Sequence, residues 1–149
     1  MIHVKKILYS TDFSSYSNQA YFHAVALAEH HRASLTILYV YIPGGSGEEG
    51  DKHHWRNQLE QIRPINPDIP VHHVLLEGDP ASEIVRFAAD AAMDLIVMGT
   101  HGRTGMERLL VGSVTERVMR EANCSVLAVK LPRGVPGAEK PSVAVTVNG

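Results

Sequence analysis

The chain is expected to fold as a doubly wound α/β domain, a parallel sheet with helices on both faces. Three observations predict it. Short apolar runs alternate with stretches of helical periodicity, the pattern of successive βαβ units with right-handed crossovers. The run Leu95-Ile96-Val97-Met98 has no polar alternation, as a strand buried on both faces requires. That run breaks at Gly99, and Gly102, Gly105 and then Gly112 follow ahead of a helical pattern, so strand, glycine loop and helix N-terminus come in that order. Exposed N–H groups and the positive end of a helix dipole at such a junction attract anions, phosphate above all.

The first strand is expected at residues 4–9, ending in the polar cluster Ser10-Thr11-Asp12-Phe13-Ser14, a strand-to-helix turn. The helix after it sets Ala20, Ala24, Leu27 and Ala28 on one face, small enough for close packing on a sheet. Residues 35–41 read as the second strand, and the Gly-rich residues 43–50 as an exposed, flexible loop. Trp55, Leu59 and Ile62 recur at i, i+4 and i+7, a second helix that stops before Pro64 and Pro67. Residues 71–76 are the third strand. Gly78-Asp79-Pro80 then gives a turn, an N-cap at Asp79 and a proline at the first helical position, with Ile84, Phe87, Ala88 and Ala91 as the buried face. After the fourth strand, residues 95–98, Ser113-Val114-Thr115-Glu116 reads as a capping box, and Val114, Val118 and Ala122 continue at helical spacing. Residues 126–130 make the fifth strand. From Pro132 the composition turns Pro- and Gly-rich, and Val143, Val145 and Val147 then alternate as in a half-buried strand. The organisation expected is therefore one domain, residues 1–131, with a linker and tail strand at residues 132–149.

With 149 residues, 44% hydrophobic and 20% charged, the chain has the makings of one soluble globular domain. A formal net charge of -2 gives no general attraction to nucleic acid or anionic membrane, so an anion site has to be local, which favours a small ligand. The single cysteine, Cys124, rules out an internal disulfide and a Cys-based metal site, and it fits a reducing compartment. The opening MIHVKKILYS is too short and too polar-flanked for a signal peptide and no apolar run approaches a membrane span, so a cytoplasmic protein is expected. Six of the nine histidines lie in adjacent pairs, which point apart in a helix or strand and do not chelate together, so no metal site is expected.

Gly99-x-x-Gly102, nine residues, then Gly112-Ser113 resembles the G-2x-G-9x-G-[ST] signature of the ATP-binding universal stress proteins. The flanking strings DLIVMGTHGRTG, SVTERVMREANCSVLAVK and KKILYSTDFS extend the likeness over residues 2–130. Neither G-x-x-x-x-G-K-[ST] nor a G-x-G-x-x-G after a strand occurs. The resemblance implies a Rossmann-like, nucleotide-binding alpha hydrolase-like fold: a five-stranded parallel sheet of order 3-2-1-4-5. Its order would reverse between the first and fourth strands, where ligands sit beyond the carboxyl ends of such sheets. The Asp12 turn and the Gly99 loop would then form one site.

Carried over residue by residue, the resemblance sets Thr11 and Asp12 against the adenosine, the carboxylate accepting from ribose hydroxyls. Asp12 has the local alternative of an Asx turn or helix cap. Val40 would meet adenine mainly through its backbone, and Met98 and Gly99 would flank the nucleotide. Gly102, Gly112, Ser113 and Val114 would cradle the phosphates, with Thr115 a further neighbour. Arg103 is a candidate phosphate contact, against the alternative of a solvated loop arginine. His101 invites a catalytic role, but no orienting carboxylate is evident and it reads as a loop residue. Relatives often carry proline where this chain has Ser10.

The function implied is that of a cytoplasmic stress-response module binding ATP, or AMP or another adenine nucleotide, with Mg²⁺ possible on the phosphates. Nucleic acid and membrane insertion are not expected. Two rivals stand beside it: a slow Mg²⁺-dependent ATPase, for which no Walker lysine, Walker B aspartate or base is visible, and a partner-binding regulator of a transporter or kinase switched by nucleotide. Residues 126–129 are apolar, with Lys130 the nearest charge, a pairing hazard at a sheet edge; the resemblance implies that a second subunit covers them in a homodimer.

Overall fold

A computed structural model of the chain describes residues 3–44, 52–101 and 112–130. Gly102 and Arg103, most of the loop at 43–50 and the tail 132–149 lie outside the described residues. The elements run β1 (Lys6–Ser10), α1 (Ser15–His31), β2 (Ser34–Tyr41), α2 (Lys52–Glu60), β3 (Val71–Glu77), α3 (Pro80–Asp90), β4 (Leu95–Gly99), α4 (Ser113–Glu121) and β5 (Ser125–Val129). All neighbouring strands are parallel, in the order β3-β2-β1-β4-β5, as the family likeness implied.

The strands divide their side chains between two cores, as a period of two demands. Ile7, Tyr9, Leu35, Ile37, Tyr39 and Val97 face one core with Ala20, Ala24 and Ala28 of α1 and Leu59 of α2. Leu8, Leu38, Val40, Ile96 and Met98 face the other with Ala81, Ile84 and Ala88 of α3 and Val118 of α4. The alanine row of α1, each member no more than 1% exposed, lets that helix lie close on the sheet. Phe87 and Ala91 pack at the edge of the second core as partly buried residues.

Several boundaries differ from the expected ones. β1 begins at Lys6 rather than Val4 and takes in Ser10, and β5 begins at Ser125 and closes at Val129. α2 ends at Glu60, short of Ile62, because the N–H groups of Gln61 and Ile62 bond three residues back to Gln58 and Leu59 (3.3 and 3.1 Å), tightening the last turn. Ile62 nevertheless packs on the first core. Asp79 caps α3 as expected: its carboxylate accepts from the Ser82 N–H, and Pro80 opens the helix. Gly78 before it has φ +138°, where only glycine sits without strain, and an added Cβ would press on Glu83 Cγ at 3.2 Å.

Helices α1 and α3 each end in a left-handed residue that is not glycine. Arg32 (φ 55°) follows α1, with Ala33 N–H bonded to Ala28 O at 2.9 Å; Ala92 (φ 54°) follows α3, with Met93 N–H bonded to Ala88 O at 2.9 Å. At the lower end of the sheet Asp94 fastens β4 to β1, its Oδ2 accepting from the N–H groups of Lys5 and Lys6, both at 2.9 Å.

Candidate functional site

The strand order reverses between β1 and β4, and there, beyond their carboxyl ends, lies a cavity of about 290 Å³. That is close to the lower bound of about 300 Å³ for small-ligand pockets. The nine expected site residues that the structure describes all line it: Thr11, Asp12, Val40, Met98, Gly99, Gly112, Ser113, Val114 and Thr115. They come from the ends of β1, β2 and β4 and from the start of α4, more than one hundred residues apart in the chain.

The β1 end is held by a dense set of hydrogen bonds. Thr11 N–H extends the sheet to Leu38 O at 2.9 Å, and Thr11 Oγ1 accepts from Phe13 N–H at 3.0 Å and meets Ser17 Oγ at 3.2 Å. Asp12 Oδ1 accepts from Ser14 N–H at 2.9 Å, the Asx turn weighed as a local alternative, and Asp12 also lines the cavity. Ser14, not Asp12, caps α1, its Oγ accepting from Ser17 N–H. Tyr9 O–H donates to Ser17 O at 2.8 Å, and burial pushes its phenol well above the usual tyrosine range, so it stays neutral.

Phe13 has φ +64°, an outlier for a bulky side chain that costs about 1–3 kcal/mol. Its ring sits 4.7 Å from Tyr39 and 5.2 Å from Trp55, the latter nearly parallel at 28°. Two such aromatic pairs contribute about 0.5–1.5 kcal/mol each beyond area burial, enough to offset the strain.

At the β4 end, Thr100 N–H bonds to Val129 O at 2.9 Å and Gly112 N–H to Thr100 O at 2.7 Å, which brings the chain back to the cavity at the start of α4. Thr115 is 4% exposed and donates its hydroxyl to Gly99 O at 2.7 Å, tying the first turn of α4 to the strand; its oxygen remains an acceptor. The capping box is not formed. Gly112 is the N-cap residue of α4 (φ -63°, ψ 156°) and makes no side-chain cap bond, and Ser113 stands one position inside the helix. Glu116 therefore falls at the fourth helical position, its N–H bonded to Gly112 O and its carboxylate paired with Arg120. An uncapped first turn leaves N–H groups of Ser113, Val114 and Thr115 without helix carbonyls to bond.

Sequence reasoning missed further wall residues. Tyr39, Ile42 and Ile84 add apolar surface, Pro80 brings the start of α3 to the rim, and Ser17 adds a hydroxyl from the first turn of α1. The signal for Pro80 and Ile84 was present, because in a parallel sheet every helix start lies at the strands' carboxyl ends. His101, read as a loop residue, is 7% exposed, lines the cavity and has Nδ1 2.9 Å from Thr100 Oγ1. Among the described residues no three His, Cys, Asp or Glu side chains gather as a metal would need, and no helix is long and apolar enough to cross a membrane.

A doubly wound parallel sheet with a cavity at its switch point defines the Rossmann-like class. Within that class the model of the universal stress protein family matches residues 3–130, and the chain belongs to that family. Universal stress protein MJ0531 of Methanocaldococcus jannaschii is 41% identical over 142 residues, spanning 87% of this chain and 84% of that protein. The solved structure of MJ0577, from the same archaeon, superposes with a TM-score of 0.79 at 31% identity, covering 89% of this chain and 100% of that one. Two more distant universal stress proteins, each 23% identical, share the fold. One, in complex with cAMP, has a TM-score of 0.65 and covers 85% of this chain and 97% of its own. The other, from Archaeoglobus fulgidus in complex with dAMP, has a TM-score of 0.63 and covers 87% and 100%.

Proposed function

We propose that this chain binds ATP, or another adenine nucleotide such as AMP, in the switch-point cavity and acts as a nucleotide-dependent module of the stress response. The observation that carries this reading is the convergence in one cavity of an apolar cleft, an acceptor carboxylate and an uncapped helix N-terminus. Val40, Ile42, Ile84 and Met98 suit a flat base, Asp12 suits the ribose hydroxyls, and the first turn of α4 suits the phosphates; Gly102 and Arg103, outside the described residues, are proposed as further phosphate contacts from the sequence likeness alone. The cAMP and dAMP bound by two proteins of the same fold accord with this reading. Mg²⁺ would arrive with the phosphates. Among the described wall residues there is no lysine or arginine and the one carboxylate is Asp12, which favours binding over phosphoryl transfer. Turnover of bound ATP with and without Mg²⁺ separates a binder from a slow ATPase. The main test is to denature freshly purified protein, identify any nucleotide released, and titrate ATP and AMP into the emptied protein. Release or saturable binding of an adenine nucleotide is expected; neither, at millimolar ATP, would overturn the reading.

The same proposal extends to assembly in the cytoplasm. β5 is an edge strand whose Val126, Leu127 and Ala128 are only partly buried, and a second copy pairing along Val126 to Val129 would cover them in a homodimer. Sedimentation at micromolar protein should give the dimer mass, and a monomer refutes it. Residues 132–149, the proposed linker and tail, would brace that contact, so an unchanged dissociation constant after their deletion removes the tail from it.

A further inference from the structure

The strained residue next to Asp12 is held by groups that do not all belong to the cavity. Phe13 keeps its left-handed φ of +64° between Tyr39 of β2 and Trp55 of α2, and a Tyr39 to Trp55 contact at 5.5 Å closes the triangle of rings. Tyr39 lines the cavity, whereas no described residue of α2 does. On the backbone side, Phe13 N–H is fastened to Thr11 Oγ1 and Ser14 N–H to Asp12 Oδ1; the second bond spans Phe13, so the hold on the Asp12 carboxylate depends on the left-handed conformation of Phe13. A conformation of this cost persists where the surroundings over-determine it, and such strain concentrates at ligand sites. The asymmetry is informative. A glycine at position 13 would adopt the turn without strain, yet the chain carries an aromatic residue there and three rings to hold it.

We propose that Trp55 is a positioning residue for the ligand site: stacked on Phe13, it locks the turn that presents the Asp12 carboxylate to the sugar, so that recognition of the ribose is governed from α2. This rests on the adenine-nucleotide reading above. A carboxylate fixed by its backbone accepts a ribose hydroxyl at full strength. A carboxylate on a relaxed turn loses that contact while the base and phosphate contacts, made by other elements, stay.

The test compares Kd for ATP and for 2′,3′-dideoxy-ATP by calorimetry. Asp12 in place should favour ATP by roughly tenfold or more, the worth of a hydrogen bond to a charged acceptor, and Asp12→Ala should bring the ratio to about one. Trp55→Leu should do the same, weakening ATP roughly tenfold with little change for the dideoxy compound, and Trp55→Phe, which keeps a stacking ring, should restore the parent ratio to within about twofold. A merely structural loss would weaken both nucleotides alike and leave the ratio unmoved. If Trp55→Leu fails to fold by circular dichroism, Phe13→Leu carries the test, because it keeps a Cβ in the strained left-handed turn and removes the ring on which Trp55 stacks. A folded Trp55→Leu or Phe13→Leu that keeps the parent ratio overturns the inference and leaves nucleotide binding intact. A parent protein that binds neither nucleotide overturns both.

Discussion

Gly112→Asp should make the empty protein slightly more stable and nearly unable to bind ATP. Gly112 already has the extended φ -63°, ψ 156° of an N-cap residue, so an L side chain fits the backbone conformation, and Gly112 itself makes no side-chain cap bond to displace. An aspartate there would accept from the N–H groups of Val114 or Thr115 and favour the helix dipole, a gain over glycine of a few tenths of a kcal/mol. For a domain of this size that is a rise in Tm of about 1 °C. The same carboxylate would occupy the donors proposed for phosphate and stand about 5 Å from its charge. At an effective dielectric of about 20 one such repulsion is ~3 kcal/mol, more than a hundredfold in Kd before the lost hydrogen bonds are counted. Adenosine, which carries no phosphate, should bind within about threefold of the parent. Thermal unfolding followed by circular dichroism gives the first quantity and calorimetric titration of ATP and adenosine the second. A folded Gly112→Asp protein that keeps ATP affinity within a factor of two, or that loses ATP and adenosine equally, would refute a phosphate role for this helix start.

Asp12→Ala should weaken ATP and AMP by similar factors, roughly tenfold, because it acts at the adenosine end; an effect on ATP alone would sink that placement. Arg32→Gly should raise Tm by about 2–4 °C, since it relieves a left-handed conformation costing about 1–2 kcal/mol at an exposed helix end and gives back part of that in chain entropy. A fall in Tm would show that the arginine side chain contributes more than its backbone costs. Asp79 has its carboxyl held below the ordinary value of 3.8 by the Ser82 hydroxyl, then the Ser82 N–H and the Arg117 guanidinium 2.9 Å away. A depressed carboxyl contributes stability that is present above its unfolded pKa and lost as pH falls through the folded one, so the link between α3 and α4 should weaken below about pH 4. The carboxylate is more than half exposed, so the effect is small and screened by salt. Asp79→Asn keeps a cap and should flatten the decline in Tm between pH 5 and pH 3; an unaltered slope argues against the pair.

The inner strands β1, β2 and β4 were legible because they bury both faces and are written as mainly apolar runs, whereas the edge strands β3 and β5 are only partly buried; α3 was legible because Asp79 and Pro80 mark its start. Strand order was not, since periodicity carries no information about which parallel strand lies beside which; it came from the likeness of residues 2–130 to a family. Ser113 was misplaced because the start of α4 is decided by a tertiary bond, Gly112 N–H to Thr100 O, that no local pattern records. Ile62 kept the helical period past the point where α2 tightens and stops. Thr11 and Asp12 stood out as polar residues at a strand end, and Gly112 as a glycine ahead of a helical pattern. Tyr39, Ser17 and Ile84 reach the same cavity from positions that read locally as ordinary strand and helix, and only the register of β1 on β2 and the seating of α1 and α3 bring them there.

Trp55 is the chain's only tryptophan, and it lies against Phe13 and Tyr39, one ring removed from the ligand cavity. All indole emission from the native protein therefore originates at a single spot, beside the turn on which Asp12 sits. The wavelength and yield of that emission vary with the polarity and freedom of the ring, so filling or emptying the cavity can be followed optically in the unlabelled chain, on the stopped-flow timescale and at nanomolar protein.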